Sequence, residues 1–252
     1  MNHSINSIQD IKHAVYINLE HRRDRKEHVE KQMASVNIQV ERFNAIRVKN
    51  GAIGCSMSHV KCLETAKKMN LPHILICEDD IEFLNPSLFV EQLNSFFQKH
   101  QDDWDVVLFA GNNLPPYRIP ENDNTCVQVS HCQTTTGYLV KSHYFDTLIS
   151  NMKEGITNLI AEPEKHSSYA IDKYWLSLQK QHKWFLIVPL TVVQKIDYSD
   201  IEKKMTNYKN GMVDLDKKHF FGEKLGEKPS HTQSHSHPQT DKNNTRMKIN
   251  YL

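Results

Sequence analysis

The chain has 252 residues, enough for one large domain or two small ones, and its 38% apolar and 24% charged residues are ordinary for a soluble globular protein. Lys plus Arg (31) nearly balances Asp plus Glu (30), and a net charge of +1 gives no electrostatic reason to expect nucleic acid or an anionic membrane as partner. No apolar stretch reaches the length of a signal-peptide core or a bilayer span, so the expectation is a chain that stays in the cytoplasm, of a bacterium or a virus-infected cell.

Ala14 to Leu19 (AVYINL) reads as a short apolar strand, Glu20 to Ala34 as a charged helix with Val29 and Met33 on one face, and Ile38 to Phe43 as a second strand. Gly51 and Gly54 break the chain, and Cys55 to Met69 follows as a helix with Ser56 or Ser58 as its cap. The five cysteines include no CxxC pair and read as reduced thiols. Cys55 and Cys62 lie seven apart on that helix, too distant along its axis for a disulfide.

Ile74 to Cys77 is an uninterrupted apolar run, too short for a good helix and lacking the alternation of a half-exposed strand, so it reads as a strand buried on both faces. Glu78, Asp79 and Asp80 follow at its carboxyl end, where open α/β sheets place their ligand crevices. Three adjacent carboxylates repel one another. A Mg²⁺ or Mn²⁺ ion relieves that repulsion, with phosphate oxygens and water filling the rest of its coordination. The bland alternative is an acidic loop solvated at a strand end, and the triplet taken alone favours it.

Pro86 fits the first turn of a helix whose Leu88, Phe89, Leu93, Phe96 and Phe97 form a core-facing stripe. Trp104 to Ala110 is a second doubly buried strand, ended by Gly111-Asn112-Asn113, and the Pro-, Asn- and Asp-rich span to about Gln128 is an exposed loop. Thr134 to Val140 is strand-like, the apolar residues from Tyr144 to Met152 repeat at helical spacing, and Ile171 to Leu178 is a further helix. Trp184 to Val193 is a strand that Pro189 bends or sends to an edge. From Glu227 the chain turns polar and His-bearing, which divides it into a folded domain over residues 1–226 and a disordered tail over 227–252.

Alternating strands and helices predict an α/β fold with a central sheet flanked by helices on both faces. Neither GxxxxGK[ST] nor GxGxxG occurs, so a bound nucleotide would lack a glycine cradle and need a cation as neutraliser.

INLEHRRDR (Ile17 to Arg25), GAIGCSMSHVKCLETA (Gly51 to Ala66) and ILICEDDIEF (Ile74 to Phe83), in this order and at these separations, resemble glycosyltransferase family 25. That family includes bacterial lipooligosaccharide galactosyltransferases and collagen hydroxylysine galactosyltransferases. Weaker echoes in DVVLFAGN, TTTGYLVKSHYFDTLI, IDKYW and VPLTVVQKIDYSDIE extend the resemblance over roughly residues 12 to 202. It implies a GT-A type, Rossmann-like fold with a mixed sheet, and inverting transfer of galactose or glucose from a UDP-sugar with Mn²⁺ or Mg²⁺. The implied acceptor is a hydroxyl of a glycan, a glycolipid or protein hydroxylysine, with peripheral membrane contact where it is lipid-linked.

By position, the resemblance makes Asp80 and Glu78 metal ligands and sets Asn18, Arg22, Arg25, Ser58, His59, Glu78 and Asp79 around the donor. Asp200 is a further acid that can close the metal shell late in the chain. Arginine suits a diphosphate because its fork donates two hydrogen bonds, although Arg22 and Arg25 fit equally well as a charged helix start with Asp24 as internal partner. His59 on a helix is more often a structural histidine. An inverting displacement needs a general base to deprotonate the acceptor; Asp172 is the choice, with Asp105 and Asp200 as rivals. Two other classes use the same residues: a catalytically inactive GT-A-like binding module, and a metal-dependent nucleotidyltransferase, for which the usual lysine and glycine signatures are missing.

Overall fold

The apolar run before the acidic triplet is the third strand of the central sheet, and from His73 to Cys77 every residue in it is buried. The computed structural model describes residues 4–218. In chain order it contains β1 (Ala14–Asn18), α1 (Arg23–Ser35), β2 (Glu41–Asn44), α2 (Gly51–Lys68), β3 (His73–Glu78), β4 (Ile81–Phe83), α3 (Pro86–His100), β5 (Val106–Leu108), β6 (Asn112–Asn113), β7 (Cys126–Gln128), β8 (Cys132–Gln133) and β9 (Gly137–Lys141). There follow α4 (Phe145–Ala161), α5 (His166–Tyr169), α6 (Ile171–Tyr174), α7 (Leu176–Gln179), β10 (Trp184–Ile187), β11 (Val192–Gln194), β12 (Asp197–Ser199), β13 (Lys204–Thr206) and α8 (Lys209–Val213). The tail expected over 227–252 lies outside the described residues.

Seven strands form the main sheet in the order β2-β1-β3-β9-β5-β10-β7. β9 runs against both its neighbours, β3 and β5, and β7 runs against β10; the remaining pairs are parallel. The mixed α/β architecture flanked by helices is thus present. One face of the sheet packs against Val29 and Met33 of α1 and the Phe89, Leu93, Phe96 and Phe97 stripe of α3. The other face packs against Val60 and Leu63 of α2, Leu148 and Met152 of α4, and Trp175. Because β1 and β3 are parallel and adjacent, with Ile17 opposite Glu78, their carboxyl ends release Asn18 and the acidic triplet side by side. Among the described residues no helix is long and apolar enough to cross a membrane.

Several elements differ from expectation. α2 begins at Gly51, and its cap is Asn50, whose side-chain oxygen accepts from the N–H groups of Ala52 (3.0 Å) and Ile53 (3.4 Å). Ser56 and Ser58 instead donate back to the carbonyls of Ala52 and Gly54 within the helix. The expected strand over 184–193 is two strands in two sheets: β10 stays in the main sheet, while β11, beyond Pro189, pairs antiparallel with β4. The expected helix over 171–178 is the pair of short turns α6 and α7. Within the 111–128 segment Asp123 is buried, held by Lys99 (2.9 Å), His100 (2.8 Å) and the backbone N–H of Thr125 (2.9 Å). All five cysteines are unpaired, as expected.

Gly54 lies inside a helix because the 46–48 segment crosses it there: an added Cβ would stand 2.5 Å from the Ile46 carbonyl oxygen. Alanine gains at most about 1 kcal/mol of helix propensity at that position. Forcing the backbone segment away costs about 1–3 kcal/mol. Gly54→Ala is therefore expected to destabilise the fold on balance, read as a lower urea midpoint with an unchanged slope.

Candidate functional site

The acidic step stands between two layers of partners. Asn18, at the end of β1 and 1% exposed, donates from Nδ2 to Asp79 Oδ2 (2.8 Å) and to the Arg22 carbonyl (3.0 Å), while its Oδ1 accepts from Arg42 Nε (2.9 Å). From the first turn of α1, Arg25 donates to Asp79 Oδ1 (2.8 Å), Asp80 Oδ2 (3.3 Å), Asp197 Oδ2 (3.2 Å) and the Tyr198 carbonyl (3.0 Å). Arg22, capping the same helix, forks onto Asp24 (3.1 and 2.9 Å) and reaches Asp197 (3.0 Å) and Asp200 (2.7 Å). Both arginine side chains are nearly covered.

The three acids face different ways. Asp79 is fully engaged by Asn18 and Arg25, and burial raises its pKa against the pull of Arg25. Glu78 turns toward α2 and β9. Its Oε1 accepts from Thr135 Oγ1 (2.6 Å) and its Oε2 from Gln194 Nε2 (3.3 Å). Burial works against its charge, but the His59 ring and the Thr135 hydroxyl outweigh that and hold the carboxyl below its usual range. Asp80 has one oxygen facing Arg25, and its buried Oδ1 has no hydrogen-bond partner. Burial, then the neighbouring Glu78 charge, pushes the Asp80 carboxyl up to about 8. A buried carboxylate oxygen without a donor, among further acids, fits a cation ligand.

The late strands close this site. β11 lies on β4, directly after the triplet, so the Lys195 N–H donates to the Asp80 carbonyl (2.7 Å) and Gln194 meets Glu78. The β12–β13 hairpin then brings Asp197 between the two arginines and Asp200 onto Arg22. Asp172, in the first turn of α6, accepts from the Thr134 N–H (3.1 Å); burial and Glu78 both raise its pKa, although Lys173 opposes them. Cys55 Sγ lies 3.7 Å from Glu78 Oε1, and burial together with the charges of Glu78 and Asp172 pushes the Cys55 thiol up.

Of the residues singled out from sequence, Asn18, Arg22, Arg25, Asp79, Asp80 and Asp200 thus meet in one charged network, and Glu78, His59 and Asp172 lie beside it. Ser58 is buried within the helix packing, donating to the Gly54 carbonyl and accepting from the Ile46 N–H (2.9 Å). Asp105 stands at the amino end of β5, across the sheet from the acidic step, where it binds His143 (2.7 Å) and the Lys183 N–H (2.8 Å). Sequence reasoning passed over Asp197, Thr135, Gln194 and Cys55. Asp197 carries no local signal, since the arginines it joins are more than 170 residues away.

A family model described as glycosyltransferase family 25 (LPS biosynthesis protein) matches residues 47–175, just over half of the chain. The chain belongs to glycosyltransferase family 25. The match runs from just ahead of α2 through the acidic triplet to Trp175, so it includes Cys55, Ser58, His59, Glu78, Asp79, Asp80 and Asp172. Asn18, Arg22, Arg25, Asp197 and Asp200 of this family 25 protein lie outside it. No curated protein matches the chain significantly. Solved structures of similar fold include mannose-1-phosphate geranyltransferase from Thermus thermophilus, at 10% identity and TM-score 0.40, covering 70% of this chain and 73% of that one. A glycosyltransferase involved in glycosylation of the major capsid of PBCV-1 gives 10% identity and TM-score 0.36, covering 69% and 91%. A Drosophila beta-1,4-galactosyltransferase 7 variant in complex with manganese, UDP-Gal and xylobiose gives 14% identity and TM-score 0.30, covering 54% and 50%.

Proposed function

We propose that this family 25 member is a metal-dependent inverting glycosyltransferase that moves galactose or glucose from a UDP-sugar to a hydroxyl of a glycan, glycolipid or hydroxylysine-bearing protein. Residues 1–226 form its transferase unit, and it works in the cytoplasm. The observation that carries the reading is the buried, donorless Asp80 Oδ1 at the carboxyl end of a central strand. Asp80 would hold a Mn²⁺ or Mg²⁺ ion, with Glu78 beside it toward the ribose or a bound water. When bound, such an ion neutralises the charge that develops on the leaving diphosphate.

The chain's own residues supply the rest. Arg25 and Arg22 set a positive layer behind the acids; Asn18 and Asp197 orient that layer rather than touch the donor. Asp172 takes the acceptor proton, and its raised pKa suits a base that must hold that proton during displacement. Asp172→Asn is expected to lower kcat by about 10²–10⁴-fold while leaving donor affinity within about twofold. Retained kcat would move the base to another residue.

The deciding experiment offers the protein UDP-galactose and UDP-glucose with Mn²⁺ and a panel of glycan and hydroxylysine acceptors, following release of UDP. Sugar transfer with UDP release supports the transferase. Donor binding without turnover on any acceptor supports the inactive module, and in a parallel reaction with UTP and a sugar 1-phosphate, pyrophosphate release supports the nucleotidyltransferase.

A further inference from the structure

We propose that Cys55, His59 and Glu78 form a second cation site, beside Asp80 and sharing Glu78 with the donor site, that takes Zn²⁺ or another borderline divalent ion in preference to Mn²⁺ or Mg²⁺. α2 sets Cys55 and His59 four residues apart on one face, and Glu78 reaches them from the end of β3. Glu78 Oε1 is 3.7 Å from Cys55 Sγ and 3.6 Å from His59 Nε2, and the three atoms lie within 4.8 Å of one another. A tetrahedral zinc with bonds of about 2.0–2.3 Å keeps its ligands roughly 3.4–3.6 Å apart, close to the spacing at which Glu78 Oε1 already stands from both of its partners.

A second observation points to a ligand. His59 is fully buried and its Nε2, aimed at the carboxylate, has no hydrogen-bond partner. Its other nitrogen, Nδ1, lies 2.8 Å from the Tyr138 hydroxyl. In the metal-bound form the proton sits on Nδ1 and is donated to Tyr138, so Nε2 gives its lone pair to the ion in place of its contact with Glu78; an outer partner that fixes the tautomer in this way accompanies most metal-bound histidines. The donor set of thiolate, imidazole and carboxylate suits Zn²⁺, whereas Mn²⁺ and Mg²⁺ prefer oxygen ligands such as the Asp80 carboxylate. On binding, the Sγ–metal bond forms as the S–H bond breaks, and the thiol proton passes to solvent. Three protein ligands leave a fourth position open to water.

A second sulfur-bearing cluster among the described residues lacks this opening. His100, Asp123 and Cys126 are closed by their own hydrogen bonds, with His100 Nε2 2.8 Å from Asp123 Oδ2, Cys126 Sγ 3.3 Å from the same oxygen, and Lys99 on Oδ1.

The test titrates the reduced full-length protein with Co²⁺ and then Zn²⁺, without nucleotide, so that it reads the site independently of transfer. One equivalent of Co²⁺ is expected to give a thiolate-to-cobalt charge-transfer band that equimolar Zn²⁺ abolishes. Cys55→Ser should remove the band, His59→Gln should weaken Co²⁺ binding at least tenfold, and Tyr138→Phe should weaken it by about tenfold. Asp80→Asn and Cys126→Ser should keep it. His231, His235 and His237 can also take cobalt, but an ion held by imidazole alone gives no thiolate band, and Cys55→Ser tells the two apart. No band in the wild type, or a band that survives Cys55→Ser, would overturn the proposal.

Discussion

Asp80→Asn is expected to lower sugar transfer roughly a thousandfold and to remove metal-dependent donor binding altogether. The magnitude follows from the several kcal/mol of charge stabilisation that a bound cation lends a departing diphosphate, at 1.36 kcal/mol for each factor of ten. It is checked by thermal unfolding with UDP-hexoses, with and without Mn²⁺. A donor at about a hundred times its Kd adds about 2.7 kcal/mol, which for a chain of this size raises Tm by roughly 5–10 °C. The wild type should show that shift only with metal, and the variant should show none. Without ligand the variant is expected to melt no lower than the wild type at pH 8, because asparagine replaces a carboxyl whose ionisation the fold already opposes. That pairing separates a lost site from a lost fold. A metal-dependent shift that persists in Asp80→Asn would move the cation elsewhere in the molecule.

The part of this site that was legible in sequence is the part built from neighbours in sequence. An uninterrupted run such as Ile74 to Cys77 has few physical alternatives to a doubly buried strand, and its end must then deliver the next three residues to the sheet's carboxyl edge. The Phe89, Leu93, Phe96 and Phe97 stripe is legible for the same reason, since it states a helix and its buried face together. The start of α2 was not, because Gly51 and Gly54 look like breakers. The structure uses Gly54 for a close approach by the 46–48 segment and leaves capping to Asn50. Pro189 signals a bend but not that β11 leaves the sheet to pair with β4, a choice settled by β4's position after the triplet. Asp197 is the clearest loss: an aspartate in a short polar hairpin reads as solvent-facing, and only tertiary contact with Arg22 and Arg25 makes it part of the site. Cys55 reads only as a reduced thiol, because its spacing to Cys62 says nothing about a carboxylate arriving from β3.

Arg25→Ala is expected to cost about 3–5 kcal/mol at neutral pH, a larger stability loss than that of Gly54→Ala. The guanidinium is 11% exposed and faces Asp79, Asp80 and Asp197, which are themselves 10%, 13% and 20% exposed. Burial opposes its charge, yet Asp80 and Asp79 outweigh that and raise its pKa, so the cation is held by acids that also need it. Removing it leaves those carboxylates facing one another. The pH dependence has a definite sign. Asp79 and Asp80 have folded-state pKa values above the ordinary one, so each costs stability as pH climbs from about 4 toward its folded value, about 8 for Asp80. Without Arg25 that cost grows. The gap between variant and wild type should therefore widen from pH 4 to pH 8 and shrink in acid, where the carboxyls are protonated in both states. Urea denaturation across that range measures it, and a gap independent of pH would mean that Arg25 acts through packing alone. If Asp80 also holds a cation, Mn²⁺ should stabilise Arg25→Ala more than it stabilises the wild type, because ion and guanidinium neutralise the same carboxylates. Equal stabilisation of the two proteins would separate the arginine network from the metal and leave Arg25 as a structural pair.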